Sequence, residues 1–263
     1  MSYSQRKRMQ NFNDLPEDVV LEILSLVPST DLTRSCRRVC SMWKDLTDSP
    51  TLWKTKCQRM GYLPKNYERY PSDWKIYYRL SSLKKNLLKN PCALEKFKHW
   101  KIEENGGDRW KIEDLPGEHG QNIHDEKVKK YFVTSYGSCM KSQIIDLKKS
   151  GYQDKLMDIV QPDIVIKDWF APRHDCGSMY IVLVRLLSKK RETIQEFCPG
   201  PVYMEQWSDA EWKEMTHTFR DYGEGVRYIY FQHGGKDTQF WAGWYGVRVT
   251  NSSVTIEPEN LLA

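Results

Sequence analysis

The amino-acid sequence predicts an α+β chain of more than one domain: a small helical N-terminal part, a helical linker and a larger antiparallel β-sandwich. Up to about residue 60, apolar residues recur with the 3.6-residue period of a helix. From about residue 95, apolar and polar residues alternate instead, and turn residues separate the segments. The 263 residues allow one small and one larger domain. We expect these parts to span residues 10–58, 59–94 and 95–260.

Three short helices are predicted in the N-terminal part. Asn13 or Asp14 caps the first helix, Pro28 and Pro50 separate the three, and Gly61 ends the last one. A unit of this size exposes more apolar surface than it can cover by itself. Either a permanently docked partner or the rest of the chain must therefore cover the remainder.

The linker and the C-terminal part differ in their predicted elements. In the linker, Ser72 or Asp73 is expected to cap a helix that continues to Leu88. Beyond residue 95 we expect a single short helix, at 151–160, among nine strands. Many short strands separated by turns are typical of an antiparallel sandwich. The predicted strands are 110–113, 130–135, 141–147, 163–169, 180–187, 212–219, 226–231, 243–249 and 253–257.

Composition excludes several classes of protein. The net charge of +5 comes from 40 basic and 35 acidic residues, and no basic cluster is interleaved with aromatic residues, so we expect no nucleic-acid partner. No apolar run approaches the roughly 18 residues of a membrane-spanning helix, and the N-terminus lacks the apolar core of a signal peptide. The seven cysteines include no C-x-x-C pair, so we expect free thiols in the cytosol or nucleus.

Motifs for catalysis are absent from the sequence. There is no G-x-S-x-G elbow, no P-loop and no H-E-x-x-H, and the six histidines show no metal-ligand spacing. We therefore expect a non-catalytic protein that needs no cofactor and no metal ion.

The stretch HGGKDTQFWAGWYGVRVTNSSVTIEP, residues 233–258, has an unusual density of aromatic residues. Glycines on both sides of the aromatic run predict a turn between two strands. Two interpretations remain open for these rings. They pack in the core or at its rim, as most Trp and Tyr side chains do, or they form an exposed loop tip that binds a flat, partly apolar ligand. The aromatic residues are Phe240, Trp241, Trp244 and Tyr245.

The segment LPEDVVLEILSLVPSTDLTRSCRRVCSMWKDLTDSPTLWKTKC resembles an F-box, through its LP start, its V-x-x-x-I-L stripe and its final Leu-Trp-Lys. The resemblance implies docking onto a Skp-type adaptor, which links such proteins to a cullin ubiquitin ligase. Apolar burial between helices would hold the two together. The residues expected to carry the contact are Leu15, Pro16, Val19, Ile23, Leu24 and Leu26.

The C-terminal part resembles the F-box-associated domain of the glycoprotein-recognising F-box proteins. Three segments carry the resemblance: KYFVTSYGSCMKSQIIDL, QPDIVIKDWF and HTFRDYGEGVRYIYFQHGGKDTQFWAGWYGVRVTNSS. It implies a jelly-roll-like sandwich. Some members of that family are lectins that bind the inner chitobiose of high-mannose N-glycans with loops at one end of the sandwich. By this resemblance the binding residues here would be Tyr136, Phe240, Trp241 and Ala242, with Asp175 as a further hydroxyl contact.

Two of these positions differ from the family lectin in a way that affects affinity. The lectin has Tyr-Trp-Lys where this chain has Phe240-Trp241-Ala242, and Phe where it has Tyr136. Stacking of a sugar face on Trp241 and Tyr136 is kept. A hydroxyl and an ammonium group are lost, and each lost hydrogen bond costs about 0.5–1.5 kcal/mol. If the lysine acts through its backbone amide, the second loss is small.

These observations favour a substrate-recognition subunit of a Skp–cullin–F-box ubiquitin ligase. Its substrates would be misfolded glycoproteins, recognised by their N-glycan cores for ubiquitination and endoplasmic-reticulum-associated degradation. We expect the protein to be located in the cytoplasm, at the cytosolic face of the endoplasmic reticulum. Two alternatives remain: the sandwich binds a protein surface without sugar, or the chain is an intracellular lectin or chaperone-like binder that acts outside the ligase.

Overall fold

The computed structural model describes residues 15–64 and 68–263. It consists of two compact units. The first takes the described residues up to Ser82 together with Pro258–Ala263, and the second is Leu83–Glu257. The predicted cap at Asn13 or Asp14 lies outside the described residues. The boundaries 10–58, 59–94 and 95–260 stay a prediction.

The first unit is helical, and its helix ends follow the sequence signals at several points. Ser49 accepts a hydrogen bond from the backbone N–H of Thr51, and Pro50 occupies the first turn of the fourth helix. Gly61 ends that helix with a left-handed φ of 70°. The helices are α1 (Glu17–Leu26), α2 (Ser29–Arg34), α3 (Ser41–Asp48), α4 (Pro50–Met60) and α5 (Trp74–Leu83).

Two helix predictions need correction. The second predicted helix is split into α2, a single 3-10 turn at Cys36–Arg38, and α3, because the backbone of Cys40 is extended. In the linker helix, Asp73 caps α5 as predicted: its Oδ1 accepts the N–H groups of residues 75 and 76 at 2.9 Å. That helix ends at Leu83, however, and does not reach Leu88.

The second unit contains two antiparallel sheets, so the predicted sandwich is confirmed. One sheet has the order β1-β4-β10-β6-β7, with β8 also paired to β6, and the other has the order β2-β3-β11-β5-β9. A short helix, α6 (Asp154–Ile159), precedes β5. The strands are β1 (Lys101–Asn105), β2 (Lys111–Asp114), β3 (Lys130–Val133), β4 (Cys139–Asp146), β5 (Asp163–Ala171), β6 (Ser178–Leu187), β7 (Thr193–Phe197), β8 (Val202–Met204), β9 (Lys213–Phe219), β10 (Tyr228–Asp237) and β11 (Arg248–Glu257).

Strands β1, β7 and β8 are absent from the sequence prediction. They pair on one side only, β1 with β4 and the other two with β6. Most of their residues are exposed or half-buried. An edge strand of this kind lacks the apolar alternation by which a half-buried strand is detected.

The last two strands also differ from the prediction. Gly234 and Gly235 lie inside β10 and not in the turn that follows it. A Cβ atom at either position would come within 2 Å of a backbone oxygen of the neighbouring strand, 1.9 Å for Gly234 and 1.8 Å for Gly235. The strands predicted at 243–249 and 253–257 are one strand, β11, which begins at Arg248 and is interrupted by a bulge.

A buried polar network joins the two sheets across the core. The Asp168 carboxylate on β5 accepts hydrogen bonds from His233 Nδ1 (2.5 Å) and Tyr180 Oη (2.6 Å) of the opposite sheet. It also accepts one from Ser252 Oγ (2.7 Å) on β11. On its other side, His233 Nε2 contacts the Nζ atom of Lys141. All five side chains have at most 2% of their surface exposed.

Burial controls the protonation of this network. It lowers the pKa of His233 to about 4, so the imidazole is neutral and donates from Nδ1. It also lowers the pKa of Lys141 well below its ordinary value. The Lys141 Nζ lies between two rings, 3.4 Å from the centroid of Trp100 and 3.9 Å from that of Phe132. Removing one member of such a network leaves its partners buried without hydrogen bonds.

We therefore expect Asp168→Ala to lower the free energy of unfolding by about 3 kcal/mol or more, because three buried donors lose their acceptor. Urea denaturation of the full chain measures this. Asp114→Ala is the matched control, since the Asp114 side chain is 75% exposed in its ion pair with Lys130. The control should cost less than about 1 kcal/mol. Equal costs for the two variants would contradict the structural role of the network.

Candidate functional site

The predicted site residues lie on loops at one end of the sandwich. Gly235 near the end of β10 pairs with Cys139, the first residue of β4, and with Tyr180 near the start of β6. Arg248, the first residue of β11, pairs with the last residues of β3 and β5. Loops 134–138, 172–177 and 238–247 therefore share this end, which we call the loop end. They carry Tyr136, Asp175 and residues 240–242 respectively.

Loop 238–247 presents two exposed aromatic side chains. Phe240 is 69% exposed and Trp241 is 41% exposed. Trp241 packs edge-on against Tyr245, with ring centroids 5.6 Å apart. The sequence left core packing and an exposed tip as alternatives for these rings, and the structure exposes this pair.

A buried carboxylate shapes this loop. Asp237, which is fully buried at the end of β10, accepts the backbone N–H of Phe240 at 2.6 Å through Oδ1. Burial raises the pKa of Asp237 above its ordinary value. Phe240 has a left-handed φ of 58°, a conformation that a bulky residue adopts only when its surroundings impose it. The hydrogen bond to Asp237 is one such constraint.

Neighbouring loops hold the middle of loop 238–247. The Gly243 N–H donates to Asp108 Oδ2 at 2.6 Å, and the Gly243 carbonyl accepts from Ser135 Oγ at 2.6 Å. Ser135 precedes Tyr136, which is half-buried. The structure therefore brings the Tyr136 loop and the 240–242 loop together at Gly243.

A cleft of about 410 Å³ opens beside Ala242. Ala242 is the one predicted site residue among those that line it. The cleft offers aromatic faces with cations over them: Lys111 Nζ lies 4.2 Å from the centroid of Trp244, and Arg173 Cζ lies 4.6 Å from that of Tyr245. Its lining residues are Lys111, Glu113, Gly117, Glu118, Arg173, Ala242, Gly243, Trp244 and Tyr245.

Asp175 is tied to the cleft through Arg173. Its two carboxylate oxygens accept from Arg173 Nε and Nη2 at 2.9 and 3.1 Å. The hydrogen bond from Arg173 lowers the pKa of Asp175, so the carboxylate stays charged. Arg173 in turn keeps a fixed orientation over Tyr245. Each oxygen of Asp175 has capacity for a further hydrogen bond.

Arg173, Glu118 and Lys111 were not predicted as site residues. Glu118 belongs to the loop between β2 and β3, which folds back to the loop end: His174 N–H donates to the His119 carbonyl at 2.9 Å, and Arg248 donates to the Glu118 carbonyl. Long-range packing of a loop leaves no periodic signal in the sequence. The charged residue types alone could not have identified them.

The described residues offer neither a metal-binding cluster nor a membrane-spanning helix. Within residues 15–64 and 68–263, no group of three or more His, Cys, Asp or Glu side chains has the geometry to hold a metal ion. In the same part of the chain, every helix is too short or too polar to cross a bilayer.

Comparison with known families supports the resemblance seen in the sequence. The family described as F-box associated region matches residues 78–256, and the family described as F-box-like matches residues 12–59. This chain belongs to the F-box proteins with an F-box associated region. Its F-box is thus the helical segment around α1–α4, and its F-box associated region covers the sandwich from β1 to residue 256 in β11.

Curated relatives agree with this assignment. F-box only protein 6 of Bos taurus is 58% identical over 246 residues, which cover 94% of this chain and 93% of that protein. F-box only protein 44 of Homo sapiens is 54% identical, with 94% and 97% covered. F-box only protein 2 of Bos taurus is 47% identical, with 94% and 84% covered.

The F-box helix α1 exposes most of the apolar residues predicted to contact an adaptor. Val19 is 39% exposed, Ile23 is 37% exposed and Leu26 is 69% exposed, and Pro16 is exposed as well. Leu15 is half-buried against the core of its unit. Leu24 needs correction: it is 1% exposed and packs inside that core, so its side chain supports α1 and does not form part of the exposed surface.

The role of Asp237 in the loop can be tested by proteolysis. Asp237→Ala removes the acceptor of the Phe240 N–H, so we expect chymotrypsin to cut after Phe240 or Trp241 about five- to thirtyfold faster, for a loss of about 1–2 kcal/mol. Mass spectrometry of the fragments gives the rate. Asp237→Asn keeps a side-chain oxygen and should stay within about twofold of the parent chain. The same rate in all three proteins would show that Asp237 does not hold the loop.

Proposed function

We propose that this F-box protein is a substrate-recognition subunit of a Skp–cullin–F-box ubiquitin ligase, and that its sandwich binds the N-glycan core of glycoproteins. One observation carries the proposal: the exposed aromatic loop at 240–242, which stands at the loop end beside a cleft lined with charged groups. The F-box supplies the connection to the ligase, and catalysis comes from the recruited machinery.

An N-acetylglucosamine unit has the two kinds of surface that this site offers. One face of the ring consists of C–H groups, which stack on an indole or phenol ring. The acetamide and hydroxyl groups need hydrogen-bond partners. Trp241 and Tyr136 supply the rings, and the cleft beside Ala242 supplies donors and acceptors on Lys111, Arg173 and Glu118.

The residues of the cleft and its surroundings affect the two positions that differ from the family lectin, Phe240 and Ala242. Ala242 has no ammonium group, but Lys111 lines the same cleft and its Nζ lies over Trp244. Phe240 has no hydroxyl, and its exposed ring adds an apolar surface next to Trp241. We propose that Lys111 provides a hydrogen-bond donor where the side chain of residue 242 provides none. Asp175 acts in this proposal by orienting Arg173 and through its remaining acceptor capacity.

The presence of an F-box and a sandwich in one chain supports the proposed cellular role. An F-box bound to its adaptor would place any glycoprotein held by the sandwich near a ubiquitin-conjugating enzyme. N-glycans reach the cytosol on glycoproteins exported from the endoplasmic reticulum. We therefore propose action in the cytoplasm, at the cytosolic face of the endoplasmic reticulum, in the degradation of misfolded glycoproteins.

Titration of the full chain with chitobiose tests the sugar site. We expect saturable binding in calorimetry, and a loss of about tenfold or more in Trp241→Ala, because the stacking surface is removed. Tyr70→Ala is the control, since Tyr70 is an aromatic residue of the helical unit with 58% exposure. It should bind like the parent chain. No binding at millimolar sugar would favour the alternative in which the sandwich recognises a protein surface.

The ligase connection is tested by co-purification with a Skp-type adaptor. We expect the double variant Ile23→Asp, Leu26→Asp to bind at least about thirtyfold more weakly, because charges replace an apolar contact worth about 2 kcal/mol or more. Ile159→Asp places a charge on an apolar side chain of the sandwich unit with 66% exposure, and should not change the affinity. A parent chain that fails to bind the adaptor would support a lectin or chaperone-like role outside the ligase.

A further inference from the structure

Trp207 is a further exposed aromatic residue at the loop end, besides Phe240 and Trp241, and it does not belong to the buried core. It lies between β8 and β9 and is 65% exposed. Met204 at the end of β8 pairs with Ser178 at the start of β6, so this connection leaves β8 at the loop end. Trp207 has a left-handed φ of 65°. A backbone conformation that a large residue rarely adopts, together with an exposed ring, leads to the hypothesis that Trp207 binds a ligand.

Loop 172–177 holds the Trp207 backbone and ring. The Trp207 N–H donates to the His174 carbonyl at 2.7 Å, and the two rings meet edge to face with centroids 5.7 Å apart. Gln206 Nε2 donates to the Asp175 carbonyl at 3.0 Å. The His174 imidazole contacts the Ser208 carbonyl through Nδ1. Loop 172–177 therefore contacts Trp207 and also both of its chain neighbours, Gln206 and Ser208.

The same loop 172–177 connects Trp207 to the candidate sugar site. The Thr238 N–H donates to the Gly177 carbonyl at 3.0 Å, and Arg173 lies over Tyr245. A Cβ atom at Gly177 would lie 2.5 Å from Thr238 Oγ1 and 3.1 Å from the Met204 carbonyl oxygen. The absence of a side chain at Gly177 therefore lets the loops of Trp207, Asp175 and Trp241 meet.

The surroundings of Trp207 favour a sugar as its ligand. The side chain that meets its indole is polar and exposed, since the His174 ring packs against it edge to face. Two further polar side chains contact the same loop 172–177: Gln206, which is half-buried, and His119, which is 55% exposed and lies 3.8 Å from Asp175. An apolar peptide side chain binds best in a desolvated pocket with apolar walls. A single exposed ring among polar groups matches the C–H face and the hydroxyl rim of a pyranose.

We propose that Trp207 forms a second sugar contact, which stacks on a pyranose of the same glycan beyond the disaccharide held at Trp241. This proposal rests on the proposed function of the 240–242 loop. It makes Trp207 a residue that determines the preference for branched or extended glycans over chitobiose. The two contacts belong to one ligand, so the second contact adds affinity without a second association event.

The test is a pair of titrations of the full chain, one with chitobiose and one with a free high-mannose N-glycan. We expect the parent chain to bind the larger glycan more tightly. Trp207→Ala should bind chitobiose within about twofold of the parent chain, and should bind the high-mannose glycan about three- to tenfold more weakly. Trp207→Tyr, which keeps a stacking ring, should recover most of that loss. Thermal unfolding of each variant checks that the fold is unchanged.

Each other outcome has a definite meaning. Equal weakening toward both sugars would overturn the proposal, because Trp207 would then act on the shape of the first site. Unchanged binding of both sugars would also overturn it, and a loss seen only with an unfolded glycoprotein carrying the same glycan would assign Trp207 to polypeptide. If the parent chain binds neither sugar, the proposed function itself fails, and the second contact fails with it.

Discussion

The carboxylate of Asp168 is the buried group on which the arrangement of the sandwich depends. A charged group away from water is tolerated only with several good hydrogen bonds, and Asp168 obtains them from both sheets. The strands joined in this way are the strands that end at the site loops. Asp168 lies shortly before loop 172–177, His233 shortly before loop 238–247, and Lys141 shortly after loop 134–138. A shift in the register of one sheet against the other would break the network, so the network sets the positions from which these loops start.

Beyond the strand ends, a second level of polar contacts makes the loops depend on one another. Asp237 holds the backbone of Phe240, Ser135 holds Gly243, and Gly177 allows a close approach of its neighbours. Binding residues on loops are effective when a rigid scaffold limits their freedom, because less conformational entropy is lost when the ligand binds. The left-handed conformation of Phe240 fits this view, since the strain is local and is offset by the hydrogen bond to a buried carboxylate.

How much the sequence could predict depended on the range of the interactions. Local signals worked: the cap at Asp73 and the stop at Gly61 act within one turn of a helix, and the alternation of the central strands reports their own burial. Features that depend on contacts between residues far apart in the sequence were not predicted. Lys141 and Lys56 are fully or almost fully buried, although lysine ordinarily lies at the surface, and the Lys56 ammonium satisfies carbonyl groups at the end of α1. The return of the Glu118 loop to the cleft likewise depends on tertiary contacts, which no period or spacing encodes.

In the proposed sugar site, the polar groups of the cleft would add little affinity for a single sugar unit. Its donors and acceptors already have partners: Arg173 is paired with Asp175 and lies over Tyr245, and Lys111 is paired with Glu113. A sugar hydroxyl must therefore compete with these contacts and with water, and each hydrogen bond gained contributes little net free energy. Stacking on an exposed ring does not have this competitor, so aromatic area is the more effective source of affinity here. A glycan that covers several rings at the loop end would gain from each, while its translational and rotational freedom is lost only once.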